Sequence, residues 1–197
     1  FRPEQVSVAL ATLERALQRL QPQASQWRPD KIFLFAGHMI DAADRAEPRF
    51  PADKEGIAAA RIGAALDALD AGPNDLAIAQ GAAGGDLLFA EACLARGVRF
   101  QMLLPLPEPK FIEASVLPCG DGEAWRARYL ALRERLALPP RIMPDELGPL
   151  PRDHDGKPLD PFERCNLWLL YSALSQGLSR VRFICLWNGG GGDGAGG

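Results

Sequence analysis

Basic charge is slightly in deficit: 22 Lys and Arg stand against 25 Asp and Glu, a formal net charge of −3. No global positive field exists to hold a polyanion, which disfavours duplex DNA as the main partner. Histidine is scarce too. His38 and His154 are the only two, and neither an HExxH pair nor a Cys/His cluster occurs, so a transition-metal site is not expected. The four cysteines, Cys93, Cys119, Cys165 and Cys185, form no CxxC pair, and three sit inside apolar helix or strand patterns. They read as reduced, structural thiols. A run of about 18 apolar residues is missing, as is a charged-then-apolar leader, so no membrane partner and a cytoplasmic location are the expectation. Also absent is the GxSxG elbow, and the glycines between Gly81 and Gly85 have neither GxGxxG spacing nor a GK[ST] ending.

What is present suffices for one sizeable core: 197 residues, 47% of them hydrophobic. Val6, Leu10, Leu13, Leu17 and Leu20 recur at helical spacing with Glu14, Arg15 and Arg19 opposite, which predicts an N-terminal amphipathic helix. A proline-containing linker follows, so residues 1–30 are read as helix and linker and residues 31–197 as the ligand-binding domain. Lys31 to Ala36 is a short run apolar on both faces, as a central parallel strand requires. Helical patterns over Asp53 to Leu69 and Asp86 to Arg96 alternate with strands over Asp75 to Gln80 and Val98 to Leu104. That alternation implies right-handed βαβ units. Further on, Glu123 to Leu136 and Pro161 to Gln176 read as helices, Arg141 to Met143 as a short strand and Val181 to Trp187 as the last one. The fold class is α/β: a Rossmann-like three-layer sandwich with a mainly parallel sheet of about five strands.

Three loops carry the candidate chemistry, all at carboxyl ends of strands, where open α/β sheets bind ligands. In Gln80-Gly81-Ala82-Ala83-Gly84-Gly85-Asp86, glycines allow a tight turn and close approach, and free amides at the helix start offer a phosphate site. The alternative is a βα turn that binds nothing, with Asp86 as the helix N-cap. Gly37-His38-Met39-Ile40-Asp41 ends the first strand; His38 either meets a base, ribose or phosphate or bonds to loop backbone. Arg45 and Arg49 follow, as a clamp over phosphate or as a solvated loop. Asn188-Gly189-Gly190 opens the terminal glycine cluster, the second half of a two-sided phosphate grip or a linker. Arg164 and Asn166 are candidates to face the same crevice, whereas Trp168 and Tyr171 read as core.

Gly81, Gly84, Gly85 and Asp86, followed by Ala90, Ala92, Gly97, Val98 and a strand ending in Leu104-Pro105, resemble the SLOG superfamily of Rossmann-like nucleotide-binding domains. That group includes the Lonely-guy phosphoribohydrolases, the DNA-processing protein A fold and sensor domains of bacterial conflict systems. The resemblance covers Ile32 to about Leu104 and, more loosely, Trp187 to Gly197. It implies that Gly37, His38, Gly81, Ala82, Gly84, Gly85, Asp86, Asn188, Gly189 and Gly190 hold the phosphate or ribose of a nucleotide-derived ligand. The Lonely-guy PGGxGTxxE motif has no counterpart here: the proline, threonine and glutamate are missing, so no catalytic residue carries over.

The expected function is a sensor domain for a nucleotide or nucleotide-derived signal. With a first residue of Phe1 and an end inside a glycine run, the chain reads as part of a longer bacterial protein with fused partner domains, and a homodimer is a further option. No resident cofactor is indicated. The alternative is an enzyme cleaving a nucleotide N-glycosidic bond, with Asp86, Glu91 or Glu163 as acid and base candidates. A DNA-binding module is opposed by the acidic balance.

Overall fold

A computed structural model describes residues 27–190. The helix expected over residues 4 to 20, the linker as far as residue 26 and the glycines from residue 191 onward lie outside the described residues.

The strand β1 (Ile32–Gly37) is the apolar run anticipated from its composition, and Ile32, Phe33, Leu34 and Phe35 are buried. It pairs in parallel with β2 (Leu76–Ala79) on one side and β5 (Val181–Leu186) on the other. β3 (Arg99–Leu104) and the two-residue β4 (Arg141–Ile142) extend the sheet outward from β2, again in parallel. The strand order is β4-β3-β2-β1-β5. The chain therefore walks from β1 to β4 in one direction and then crosses back to place β5 beside β1. That reversal makes the β1/β5 boundary the topological switch point of a Rossmann-like α/β fold.

Side chains alternate across the strands and define two cores. On one face Phe33, Phe35, Ala77, Phe100 and Met102 pack against α1 (Glu55–Ala68), α2 (Gly85–Ala95) and α4 (Gly122–Arg135). Phe35 stacks on Phe89 with ring centroids 4.6 Å apart, and Phe89 meets Phe100 edge-on at 6.1 Å. On the other face Ile32, Leu34, Ile78 and Leu103 meet Cys165, Trp168, Leu169 and Ala173 of α6 (Pro161–Leu174). Helices on both faces of one parallel sheet give the three layers. At the amino end of the sheet, buried Asp75 binds β1 to β2. Its Oδ1 accepts from the Lys31 amide at 3.0 Å and its Oδ2 from the Gly72 amide at 2.9 Å.

Two short helices have no counterpart in the sequence pattern: α3 (Glu108–Ser115) and α5 (Met143–Leu147). Each begins beside a proline and is anchored by few apolar residues, Phe111 in α3 and Met143 in α5, so packing rather than periodicity makes them. Two side chains sit differently from their sequence reading. Cys185 is exposed, because β5 is an edge strand with an uncovered face, while Cys93 and Cys165 are buried. Tyr171 is exposed although Trp168 is core, since it lies one turn further on and is rotated past the edge of the face that meets the sheet.

Candidate functional site

The glycine loop after β2 is held by the chain itself. Asp86 Oδ2 accepts from the amides of Gly81 at 2.9 Å and Ala82 at 3.1 Å. The Ala83 amide donates to the Ser115 carbonyl at 2.8 Å and the Gly85 amide to the His38 carbonyl at 3.1 Å. These four donors are engaged, so an anion reaching them would have to displace a partner. Gly84 has φ +102°, and a Cβ there would collide with the Ile40 backbone nitrogen. Gly81 also has φ +102°, with Met102 Cε 2.8 Å from where a Cβ would stand. The glycines thus admit the loop after β1, which bridges Met39 to Gly84 and donates from the Ile40 amide to the Ala83 carbonyl at 3.0 Å.

Asp86 is the second residue of α2, and the N-cap is Gly84. The Asp86 side chain therefore turns back to order the preceding loop instead of capping its own helix. Burial raises its pKa to about 6, and the amides of Ala82 and Gly81 only partly offset that rise. The neighbouring Cys165 thiol is pushed up to about 12, by burial first and by the Asp86 charge second, which removes it as a nucleophile.

Beside this closed loop lies an open one. His38 directly follows β1, Gln80 directly follows β2, and Asn188 stands two residues beyond β5. His38 Nε2 lies 3.2 Å from Asn188 Oδ1, and Gln80 Nε2 donates to Asn166 Oδ1 of α6 at 2.8 Å. Both pairs are exposed. Neighbouring strands are about 4.8 Å apart, so these side chains form one polar row across the carboxyl ends of β2, β1 and β5. The loop after β5 curls over itself: the Gly190 amide donates to Asn188 Oδ1 at 3.0 Å and Trp187 Nε1 to the Gly190 carbonyl at 2.7 Å. Gly37, Asn188, Gly189 and Gly190 are exposed at this row, whereas Gly81, Gly84, Gly85 and Asp86 lie buried beneath it.

Other candidates are placed elsewhere. Of the pair at the start of α6, Asn166 faces Gln80, but Arg164 donates to the carbonyls of Leu147, Gly148 and Pro149. Arg45 donates to the Glu47 carbonyl and pairs with Asp41, and the Arg49 amide donates to Asp41 Oδ2. Glu91 is held by Arg128, which also pairs with Glu55 and lies over the Trp125 ring at 4.1 Å. Asp41, Arg45, Glu55, Trp125 and Arg128 line a separate cavity of about 540 Å³ between the β1 loop and α4. Among the described residues no group of three or more His, Cys, Asp or Glu side chains could hold a metal ion. No helix among them is long and apolar enough to cross a membrane.

The sequence pattern singles out His38 and Asn188 as candidates but not the side chain of Gln80. The signal for Gln80 is positional: it is the first residue past a buried strand, and its partner Asn166 is remote in sequence. No family model matches the chain, and no curated protein matches it either.

Proposed function

We propose that the chain is a binding domain for a nucleotide or nucleotide-derived signalling ligand, seated over the carboxyl ends of β1, β2 and β5. The observation that carries this reading is the row of His38, Gln80, Asn166 and Asn188 at the topological switch point. Carboxamides offer donors and acceptors in a plane, the complement of a base edge or a ribose hydroxyl, and open α/β sheets take ligands at this crevice. Each pair satisfies itself when alone and is exposed, so exchanging one partner for a ligand atom leaves no buried group unpaired. The glycine loop after β2 supports the site from beneath by fixing the loop that presents His38. The resemblance to SLOG nucleotide-binding domains supports the same class of ligand. A sensor that passes occupancy to fused domains fits this site better than an N-glycosidase. Asp86 is committed to loop amides and Glu91 to Arg128, which leaves Glu163 alone at the exposed start of α6.

The test is thermal unfolding against a panel of nucleotides, dinucleotides, cyclic nucleotides and ADP-ribose derivatives. A ligand present at 100 times its dissociation constant adds about 2.7 kcal/mol to stability. The expected result is a shift of several degrees with one class, lost in the Gln80→Ala/Asn188→Ala variant whose unliganded midpoint is unchanged. No shift with any compound overturns the reading. Release of free base from a bound nucleotide converts it to the enzyme alternative.

A further inference from the structure

His38, Gln80 and Trp187 are each the first residue past a strand, and strand alternation turns all three toward the α6 side of the sheet. Leu34 and Ile78 share a core with α6, so His38, four residues on, and Gln80, two residues on, point the same way. Val181 packs against that core too, and Trp187 follows it by six residues. The pairing of Gly37 with Leu186 sets His38 and Trp187 side by side where β1 meets β5. Trp187 is 64% exposed, yet its ring is anchored: Nε1 donates to the Gly190 carbonyl at 2.7 Å. An indole held by its polar edge presents an open π face next to the pair of His38 and Asn188.

Positive charge is scarce around that ring. Across residues 38–41, 80–86 and 187–190, which follow β1, β2 and β5, and residues 160–167, which open α6, Arg164 is the one Lys or Arg. It is committed to the carbonyls of Leu147, Gly148 and Pro149, and the acidic Asp160 and Glu163 precede it. Arg45 and Arg49 stand further along the loop after β1, where Arg45 pairs with Asp41 beside the separate cavity. The sequence from Asn188 to Gly197 adds no Lys or Arg. The amides of Gly81, Ala82, Ala83 and Gly85 already have acceptors within the chain. A phosphate seated here would give up water without gaining a cation, and these amides would first have to leave their partners.

We propose, resting on the reading of this crevice as the ligand site, that the part of the ligand recognised there is the nucleobase and that its phosphates stay in water. The base stacks on Trp187, and its edge exchanges hydrogen bonds with the Asn188 carboxamide and the His38 ring. Trp187 is then a specificity-determining residue, because the π face selects a planar heterocycle over a sugar phosphate. The ligand class is the nucleoside, phosphorylated or not.

The test is titration calorimetry of the full chain with adenosine, guanosine, cytidine and uridine, with their 5′-mono- and diphosphates, and with ribose 5-phosphate and pyrophosphate. One nucleoside is expected to bind, its phosphates to match it within about threefold, and the two base-free compounds to give no heat. Trp187→Ala should weaken the nucleoside by about fivefold or more, the scale of one base–aromatic stack, while Trp187→Phe keeps most of the affinity. Trp187→Leu retains apolar bulk without a π face and decides the point where Trp187→Ala fails to fold. A gain of about tenfold or more with each phosphate, or binding of ribose 5-phosphate as tight as that of the nucleotide, overturns the inference while the binding reading stands. Unchanged affinity in Trp187→Ala or Trp187→Leu overturns it as well. No binding by any nucleoside or nucleotide overturns the binding reading itself, and this inference with it.

Discussion

The loops that follow β2 and β5 are both rich in glycine and both leave the sheet at its carboxyl edge, yet different forces hold them. After β2, Gly81, Gly84 and Gly85 are buried, the Gly81 amide donates to Asp86 and the Gly85 amide to the His38 carbonyl, and the backbone of Ile40 presses where a Gly84 side chain would stand. After β5, Gly189 has φ +86° with open space around it, and Gly190 is held by the exposed side chains of Asn188 and Trp187. One loop uses glycine to let the protein approach itself. The other uses it to turn in solvent. A glycine-rich βα turn in a sequence therefore indicates a close approach without saying whether ligand or backbone makes it.

The sharpest way to break this comparison is Gly84→Val. The collision with Ile40 and the positive φ together should destabilise the chain by about 3 kcal/mol or more, as overpacking and strain combine. Chemical denaturation measures it, and a near-neutral result would mean that the β1 loop does not pack on Gly84. The same variant is unsuited to testing ligand binding, since it removes the fold along with the site.

Asp86 separates the loops next. Its pKa is raised from 3.8 to about 6, so between those values the folded chain binds more protons than the unfolded one. Stability falls as pH rises through that window and levels off above it, by on the order of 3 kcal/mol. Denaturation midpoints from pH 4 to 7, compared between the native chain and Asp86→Asn, should differ by this slope. Parallel profiles would show that Asp86 titrates as an ordinary carboxylate.

Smaller effects belong to the loop after β5. Gly189→Ala strains a left-handed residue without a steric clash and should lower stability by about 1 kcal/mol, a third or less of the Gly84→Val effect. Smallest is Asn166→Ala. It breaks an exposed hydrogen bond to Gln80 and should change stability by less than about 0.5 kcal/mol, while weakening any ligand bound at the crevice. A loss comparable to that of Gly84→Val would mean that the polar row is structural.

Much of the architecture was legible from period alone. β1 is apolar on both faces because it is buried on both, and α1 repeats Ala58, Ile62 and Leu66 toward the core. α3 and α5 were not legible, because eight- and five-residue helices carry too few turns for a pattern and form only where Phe111 and Met143 find a core. The candidate site was half legible. His38 and Asn188 stood out through adjacent glycines, whereas the pairing of Gln80 with Asn166 joins residues 86 positions apart and leaves no local trace.

By itself the sequence determined the alternation of strands and helices, hence a parallel sheet, and it determined where the backbone had to turn tightly. Hydrophobic period and glycine placement are local properties, readable within a turn or two of chain. Only the tertiary structure decided that β5 returns beside β1, that the loop after β1 fills the glycine turn after β2, and that His38 meets Asn188 and Gln80 meets Asn166. Those outcomes depend on which surfaces meet across the sheet, and such long-range contacts are specified by the packing of the whole domain.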